Sequence, residues 1–154
     1  MRIKKVKLTK EGKIHLEYEE RNKADSWDEF SMTCSDEATP EFYAALAALA
    51  PHVRDMCELP ARYLDRITVR GVSASYAGDN DTMGATIIAQ MELRHSNTNM
   101  NITTPHKASE PYSDTGEADE KQLLDEDCTS DLETLFDECI KYIKGERKQL
   151  KLAV

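Results

Sequence analysis

The sequence lacks a long hydrophobic run. Its longest apolar stretch, residues 42–51, is well short of the roughly 20 residues that a membrane-spanning helix needs. The first residues, MRIKK, lead into polar sequence and not into the apolar segment of a secretion signal. We therefore expect an intracellular protein, located in the cytoplasm and not bound to a membrane.

Motifs that carry known chemistry are also missing. The four cysteines form no CxxC pair, and the four histidines are scattered over the chain, whereas zinc sites show close ligand spacing. No phosphate-binding loop, GxGxxG, GxSxG or HExxH string occurs, and these are the strings that mark nucleotide or hydrolase sites. The sequence therefore predicts a non-enzymatic protein with reduced cysteines, no catalytic residue, no metal and no cofactor.

Aromatic residues and excess positive charge are scarce. Aromatic residues make up 6% of the chain and the net charge is −9, which argues against a general phosphate-backbone binder. The charge is nevertheless uneven. Residues 1–23 hold eight basic and four acidic residues, whereas residues 109–139 hold twelve acidic residues and Lys121 as the one basic residue. The sequence is therefore electrically polarised.

What is present predicts one α+β domain over residues 1–154. Apolar and polar residues alternate in Val6 to Leu8, in Ile14 to Tyr18 and in Phe30 to Cys34, which indicates a three-stranded meander. Residues 66–77 and 83–93 alternate in the same way around a turn at 77–81, which indicates a long β-hairpin. The expected fold is an antiparallel sheet of about five strands, a kinked helix and a C-terminal amphipathic helix.

Local signals refine this fold. A change of apolar phase at Gly71 predicts a bulge. Thr39 and Pro40 predict the start of a helix that Pro51 bends or splits near Ala50. Residues 130–133 have capping-box form and precede an apolar stripe that ends at Gly145. Polar residues 96–104 suit an edge strand with a ladder of amides at Asn97, Asn99 and Asn101, and we expect a mobile loop at 105–120 and a frayed tail at 146–154.

The acidic cluster around the C-terminal helix has two interpretations. It is either a solvated outer face with carboxylates near a helix N-terminus, or a docking surface for a protein with a basic surface. The residues that would form this partner-binding surface are Glu117, Asp119, Glu120, Asp125, Glu126, Asp127 and Asp131.

Two further functions stay open. The basic N-terminal hairpin and one aromatic residue suit a module that binds single-stranded nucleic acid, and the residues concerned are Lys4, Lys5, Lys7, Lys13 and Trp27. A pocket between sheet and helix that sequesters a small ligand such as a nucleotide is the third possibility.

Several strings resemble an uncharacterised family of small acidic proteins encoded by phages and prophages of Gram-positive bacteria. They are ITVRGV at 67–72, MGAT at 83–86, TPHKASEPY at 104–112, KQLL at 121–124 and YIKGER at 142–147. The resemblance implies a phage accessory protein in the cytoplasm of a bacterial host. It suggests an inhibitor of host defence, of the anti-CRISPR or anti-restriction type, or a modulator of DNA metabolism, and it assigns no site residue.

Overall fold

The computed structural model describes residues 1–111 and 120–148, and these form seven strands and three α-helices. The strands are β1 (Arg2–Leu8), β2 (Ile14–Arg21), β3 (Trp27–Cys34), β4 (Ile67–Ala77), β5 (Thr82–Met91), β6 (Met100–Thr103) and β7 (Lys107–Ala108). The helices are α1 (Pro40–Ala47), α2 (Ala50–Met56) and α3 (Glu126–Ile143), and short 3-10 helices cover Ala61–Arg66 and Glu120–Gln122.

The strands form one antiparallel sheet in the order β3-β2-β1-β4-β5-β6. The predicted α+β class, the meander, the long hairpin and the C-terminal helix are confirmed. Seven strands occur where about five were expected, because both β6 and β7 pair with the outer edge of β5. β6 lies within the edge strand predicted at 96–104, whereas β7 has two residues and carries too little alternation to be recognised in a sequence.

One face of the sheet carries the hydrophobic core. Val6, Leu16, Val72 and Ile87 lie side by side across four strands, and each has 0% exposure. The three helices pack over this face through contacts with β1, β4 and β5. We call the opposite face of the sheet the open face. Its neighbouring positions are polar and are partly or fully exposed, and they are Lys5, Lys7, Ser73, Thr86 and Gln90.

A bulge interrupts the central pair of strands. Val69 pairs with Ala89 and Gly71 pairs with Ile88, so Arg70 has no partner in the ladder. The bulge predicted at Gly71 is thereby confirmed. A Cβ atom on Gly71 would lie 2.4 Å from the backbone oxygen of Val6, so the close approach of β1 to β4 requires glycine.

The helix boundaries agree only in part with the expectations. Pro51 does split the first helix, since α1 ends at Ala47 and α2 begins at Ala50. α1 begins at Pro40 with Thr39 as its N-cap residue, as predicted, although the Thr39 side chain forms no capping hydrogen bond. The predicted capping box at 130–133 is wrong: the N-cap of α3 lies five residues before Ser130, where the Asp125 carboxylate accepts a hydrogen bond of 2.7 Å from the backbone N–H of Cys128.

Two segments predicted to be mobile are bonded where the structure describes them. Within the predicted loop 105–120, β7 pairs with β5 and Ala108 is buried, whereas residues 112–119 lie outside the described residues. Within the predicted tail 146–154, Arg147 and Lys148 form ion pairs of 2.6 and 2.9 Å with Asp36 and Glu37, and residues 149–154 lie outside the described range. Tertiary contacts, which local composition does not register, hold residues 107–108 and 147–148 in place.

Candidate anion-binding site

A pocket rich in arginine opens where β4 begins and β5 ends. Its cavity of about 520 Å³ is lined by Arg62, Tyr63, Arg66, Leu93, Arg94, His95 and Ser96, and we call these residues the arginine pocket. They come from two stretches of chain, the 3-10 helix Ala61–Arg66 and the turn after β5. The antiparallel pairing of Ile67 with Met91 brings the two stretches together.

One backbone–backbone hydrogen bond and one side-chain–backbone hydrogen bond fix the geometry of this pocket. The N–H of Glu92 donates to the carbonyl of Arg66 at 2.9 Å, and the Arg66 Nε donates to the carbonyl of Glu92 at 2.9 Å. The guanidinium carbons of Arg62 and Arg66 lie 4.8 and 4.6 Å from the centre of the Tyr63 ring. Cation–π contacts of this kind hold guanidinium groups in place without neutralising their charge.

The arginines of the arginine pocket form no direct ion pair in the described part of the chain, although Asp65 and Glu92 line the neighbouring hollow beside Arg66. None of Arg62, Arg66 and Arg94 lies within salt-bridge distance of a carboxylate among residues 1–111 and 120–148. Elsewhere, arginines of this chain do find acidic partners, as Arg2 does with Glu19 and Arg21 with Asp25. A pocket that gathers three guanidinium groups without a direct carboxylate partner among the described residues, in a chain with 29 acidic residues, is chemically suited to an anion.

Two smaller hollows continue from the arginine pocket across the open face. The first is lined by Asp65, Arg66, Thr68, Gln90, Glu92, Leu93, Ser96, Asn97 and Asn99. The second, of about 400 Å³, is lined by Lys7, Leu8, Thr9, Lys10, Arg70, Ile88, Ala89, Gln90, Asn101, Ile102 and Thr103. The predicted amide ladder is therefore only partly a strand feature, since Asn97 and Asn99 precede β6 and only Asn101 belongs to it.

The predicted acidic surface is divided by the structure. Asp125 caps α3, and Asp131 contacts the His52 Nε2 at 2.7 Å, so both carboxylates have structural partners. Glu126 and Asp127 are exposed in the first turn of α3. Glu120 starts the short 3-10 helix before α3, and Glu117 and Asp119 lie outside the described residues.

The predicted nucleic-acid residues of the N-terminal hairpin are spread over the open face. Lys5 and Lys7 lie on β1, Lys13 is exposed just before β2, and Lys4 lies 3.6 Å from Glu19. The Trp27 ring is covered on one side by the guanidinium group of Arg2, which lies 3.9 Å from the ring centre. That guanidinium group also forms an ion pair of 2.8 Å with the buried Glu19, so its charge is locally compensated.

A cysteine, a histidine and an aspartate meet in a second cleft. Cys128, His52 and Asp125 line a cavity of about 250 Å³ beside the pair of His52 and Asp131. Burial, followed by the negative charges of Asp125 and Asp131, raises the pKa of Cys128 from 9.0 to about 12. The thiol is therefore neutral at physiological pH, which is the opposite of what a nucleophilic cysteine requires.

Other classes of site find little support in the described part of the chain. No group of three or more histidine, cysteine, aspartate or glutamate side chains is placed to hold a metal ion there. Among the same residues, no helix combines the length and the apolar character needed to cross a membrane.

Sequence reasoning missed the arginine pocket. The available signal was the position of basic residues on both sides of the predicted hairpin, with Arg62 and Arg66 before its first strand and Arg94 and His95 after its second. An antiparallel hairpin brings its two open ends together, so these residues meet in space. Comparisons with protein-family models, curated proteins and solved structures gave no match, and the interpretation of the pocket therefore depends on its geometry and chemistry.

Proposed function

We propose that this protein is a non-enzymatic accessory protein that binds the phosphate groups of nucleic acid through the arginine pocket. The observation that carries the proposal is the convergence of three guanidinium groups without a carboxylate partner among the described residues. A planar guanidinium group matches two phosphate oxygens at once, which makes arginine the preferred residue for phosphate recognition.

The arrangement around Tyr63 supports this proposal. Its ring orients Arg62 and Arg66 before any ligand arrives, and side chains that are already ordered lose less entropy on binding. The resemblance to phage-encoded proteins suits the same function, because a modulator of DNA metabolism is one of the two roles that it suggests. The net charge of −9 is compatible with it, since the acidic residues are concentrated between residues 109 and 139.

Binding of a fluorescently labelled single-stranded oligonucleotide, followed by anisotropy at low salt, tests the proposal. Arg94 is exposed and has no structural hydrogen bond among the described residues, so Arg94→Ala leaves the fold intact. We expect this variant to weaken binding and to lower the slope of log affinity against log salt by about 0.7, the value for one lost phosphate contact to a single strand.

Arg21→Ala is the matched control. It removes the same charge from the end of β2, where Arg21 pairs with Asp25 at 2.7 Å. We expect its affinity to equal that of the unmodified protein. If the unmodified protein fails to bind at low salt, or if both variants bind equally well, the arginine pocket is not a phosphate site.

In a second candidate function, this protein binds a partner protein that has a basic surface. The partner would be a nucleic-acid-handling or defence enzyme, and binding would inhibit it. The specific observation is the row of exposed carboxylates on α3 at Glu126, Asp127, Glu133 and Asp137, none of which forms an ion pair among the described residues. Complementary surface charge steers such complexes and makes their association depend on salt.

The structure sharpens the test of this second candidate. Reversing Asp125 or Asp131 would also remove a helix cap or a contact with His52, so the informative variant is Glu126→Lys combined with Asp127→Lys. We expect it to lose partner capture from host extract, whereas Glu11→Lys combined with Glu20→Lys, two exposed sites on the hairpin, retains it. Equal capture by both double variants would show that the exposed carboxylates of α3 do not bind the partner.

A further inference from the structure

We propose that the ligand is a single strand, and that it runs from the arginine pocket across the open face of the sheet to Lys7, Lys10 and Arg70. This inference rests on the proposed function and specifies its ligand. We call the surface between these two ends the strand track.

The strand track is continuous. The arginine pocket and the first hollow share Arg66, Leu93 and Ser96, and the first and second hollows share Gln90. The second hollow crosses four strands, from Lys7 on β1 to Asn101 on β6, a width of about 14 Å at the usual spacing of strands. The buried residues of α1, α2 and α3 belong to the core cluster on the other side of the sheet, together with those of β1, β4 and β5.

The far end of the strand track repeats the chemistry of the arginine pocket. The bulge leaves Arg70 out of the ladder, and its guanidinium group donates to the carbonyls of Leu8 and Thr9 at 3.3 and 3.1 Å. Lys7 and Lys10 are exposed beside it. None of these three cations forms an ion pair with a carboxylate in the described part of the chain. The strand track therefore has phosphate-binding groups at both ends.

The middle of the strand track is suited to bases and not to phosphates. Gln90 donates to Asn101 at 3.3 Å, and Asn97 and Asn99 line the same hollow. Amide groups donate and accept hydrogen bonds with base edges. Asp65 and Glu92 also lie here, and their negative charges repel phosphates but accept hydrogen bonds from the amino groups of bases.

This distribution favours a single strand over a duplex. In a single strand the Watson–Crick edges are free to meet the amide and carboxylate groups, whereas a duplex hides them. The guanidinium planes on Tyr63 add flat surfaces on which an unpaired base can stack. A duplex would contact the protein mainly through phosphates, which the two carboxylates in the middle of the strand track oppose.

A length series of labelled oligothymidylates tests the inference. Single-stranded sites on comparable domains cover roughly 4–16 nucleotides, so oligomers of about 3 and about 15 nucleotides bracket that range. The test variant is Lys7→Glu combined with Lys10→Glu, and the control is Lys23→Glu combined with Lys144→Glu, which reverses two exposed lysines away from the strand track. Circular dichroism confirms that both variants are folded.

We expect the test variant to weaken binding of the longer oligomer and to leave the shorter one nearly unchanged. Loss of two phosphate contacts should lower the salt slope for the longer oligomer by about 1.4. The control variant should bind both lengths like the unmodified protein. Arg94→Ala should weaken both lengths, because the arginine pocket contributes to each complex.

The outcomes separate this inference from the proposed function. If Arg94→Ala weakens binding but the test and control lysine variants behave alike, the arginine pocket stands and the strand track is wrong. If affinity does not increase with length, or a single nucleotide competes as well as the longer oligomer, the ligand is a small phosphate compound and the strand track is again wrong. Equal affinity for a duplex of the same length contradicts the choice of a single strand.

Discussion

At the scale of single residues, guanidinium groups cover two aromatic rings, Trp27 and Tyr63. The two clusters differ in whether the arginine charge is paired with a carboxylate. Arg2 covers Trp27 at 3.9 Å and is neutralised by the buried Glu19, so that cluster stabilises the sheet. Arg62 and Arg66 contact Tyr63 in the same way but have no described acidic partner, so their charge remains available to a ligand. The presence or absence of one carboxylate therefore separates a structural cluster from a candidate site.

Gly71 is the residue for which the structure predicts the largest effect of a small change. Its missing side chain lets the backbone oxygen of Val6 approach to 2.4 Å from where a Cβ atom would lie. Because the clash is with backbone, Gly71→Ala must separate β1 from β4, and we expect it to lower the free energy of unfolding by about 2 kcal/mol, as overpacked cores do. Urea denaturation measures this change.

Ser73→Ala is the control for that measurement, because it lies two residues along the same strand on the open face. We expect it to change stability by less than about 0.5 kcal/mol, as most surface substitutions do. An equal loss in both variants would show that Gly71 is not needed for the approach of the strands.

At the scale of elements, α3 shows how an acidic segment can serve the fold. Asp125 accepts the Cys128 N–H at 2.7 Å, and Glu126 and Asp127 follow in the first turn, where negative charge favours the positive end of the helix dipole. The buried stripe of this helix contains Leu132, Leu135 and Cys139. Part of the acidic character of residues 109–139 is thereby explained by helix formation without any partner.

Substitutions at the start of α3 measure this contribution. Asp125→Ala removes the N-cap, and we expect it to lower the free energy of unfolding by about 1 kcal/mol. Glu126→Ala keeps the cap and removes one charge from the first turn, so we expect a loss of about 0.3 kcal/mol. Thermal or urea denaturation monitored by circular dichroism compares the two, and equal losses would mean that Asp125 acts by charge alone.

At the scale of the whole molecule, the cations of the strand track and the exposed carboxylates of α3 lie on opposite sides of the sheet, although Asp65 and Glu92 also line the open face. The helix side carries exposed acidic residues along α3, whereas the open face carries Lys7, Arg70 and the arginine pocket. A net charge of −9 would repel nucleic acid if it were spread evenly, but at physiological salt charges more than about 8 Å apart are largely screened from each other. A local cationic surface can therefore function on an acidic protein.

The reactivity of the cysteine thiols reports whether the whole molecule has unfolded. Cys139 has 0% exposure, and burial, with a smaller effect of Glu138, raises the pKa of its thiol above the usual value. The folded protein therefore holds it as a neutral, covered thiol, and we expect it to react with iodoacetamide only after global unfolding. Cys34 and Cys57 are partly exposed and should react in the native protein.

Pulsed alkylation across a urea series, read by peptide mass spectrometry, measures these reactivities. Modification of Cys139 should follow the unfolding transition seen by circular dichroism, while modification of Cys34 should precede it. If Cys139 is modified before the transition, the helix layer opens locally and the core does not unfold as one unit.

The sequence by itself determined the elements with strong periodicity. Alternation identified the meander and the β4–β5 hairpin, the phase change identified the bulge at Gly71, and Pro51 identified the break between α1 and α2. It did not locate the true start of α3, because several acidic and hydroxyl residues near that helix are all acceptable caps. The intrinsic preference for the N-cap position only ranks these residues, and the packing of the apolar stripe of α3 against the core decides which of them becomes the N-cap.

Only the tertiary structure decided which charges remain without partners. Arg62, Arg66 and Arg94 are ordinary surface residues in the sequence, and they become one pocket because antiparallel pairing brings the ends of β4 and β5 together. Asp125 and Asp131 are two acids of a cluster in the sequence, and they become a cap and a partner of His52 in the fold. Secondary structure follows from local periodicity, whereas the compensation of charge depends on contacts between distant residues, which a linear sequence does not specify.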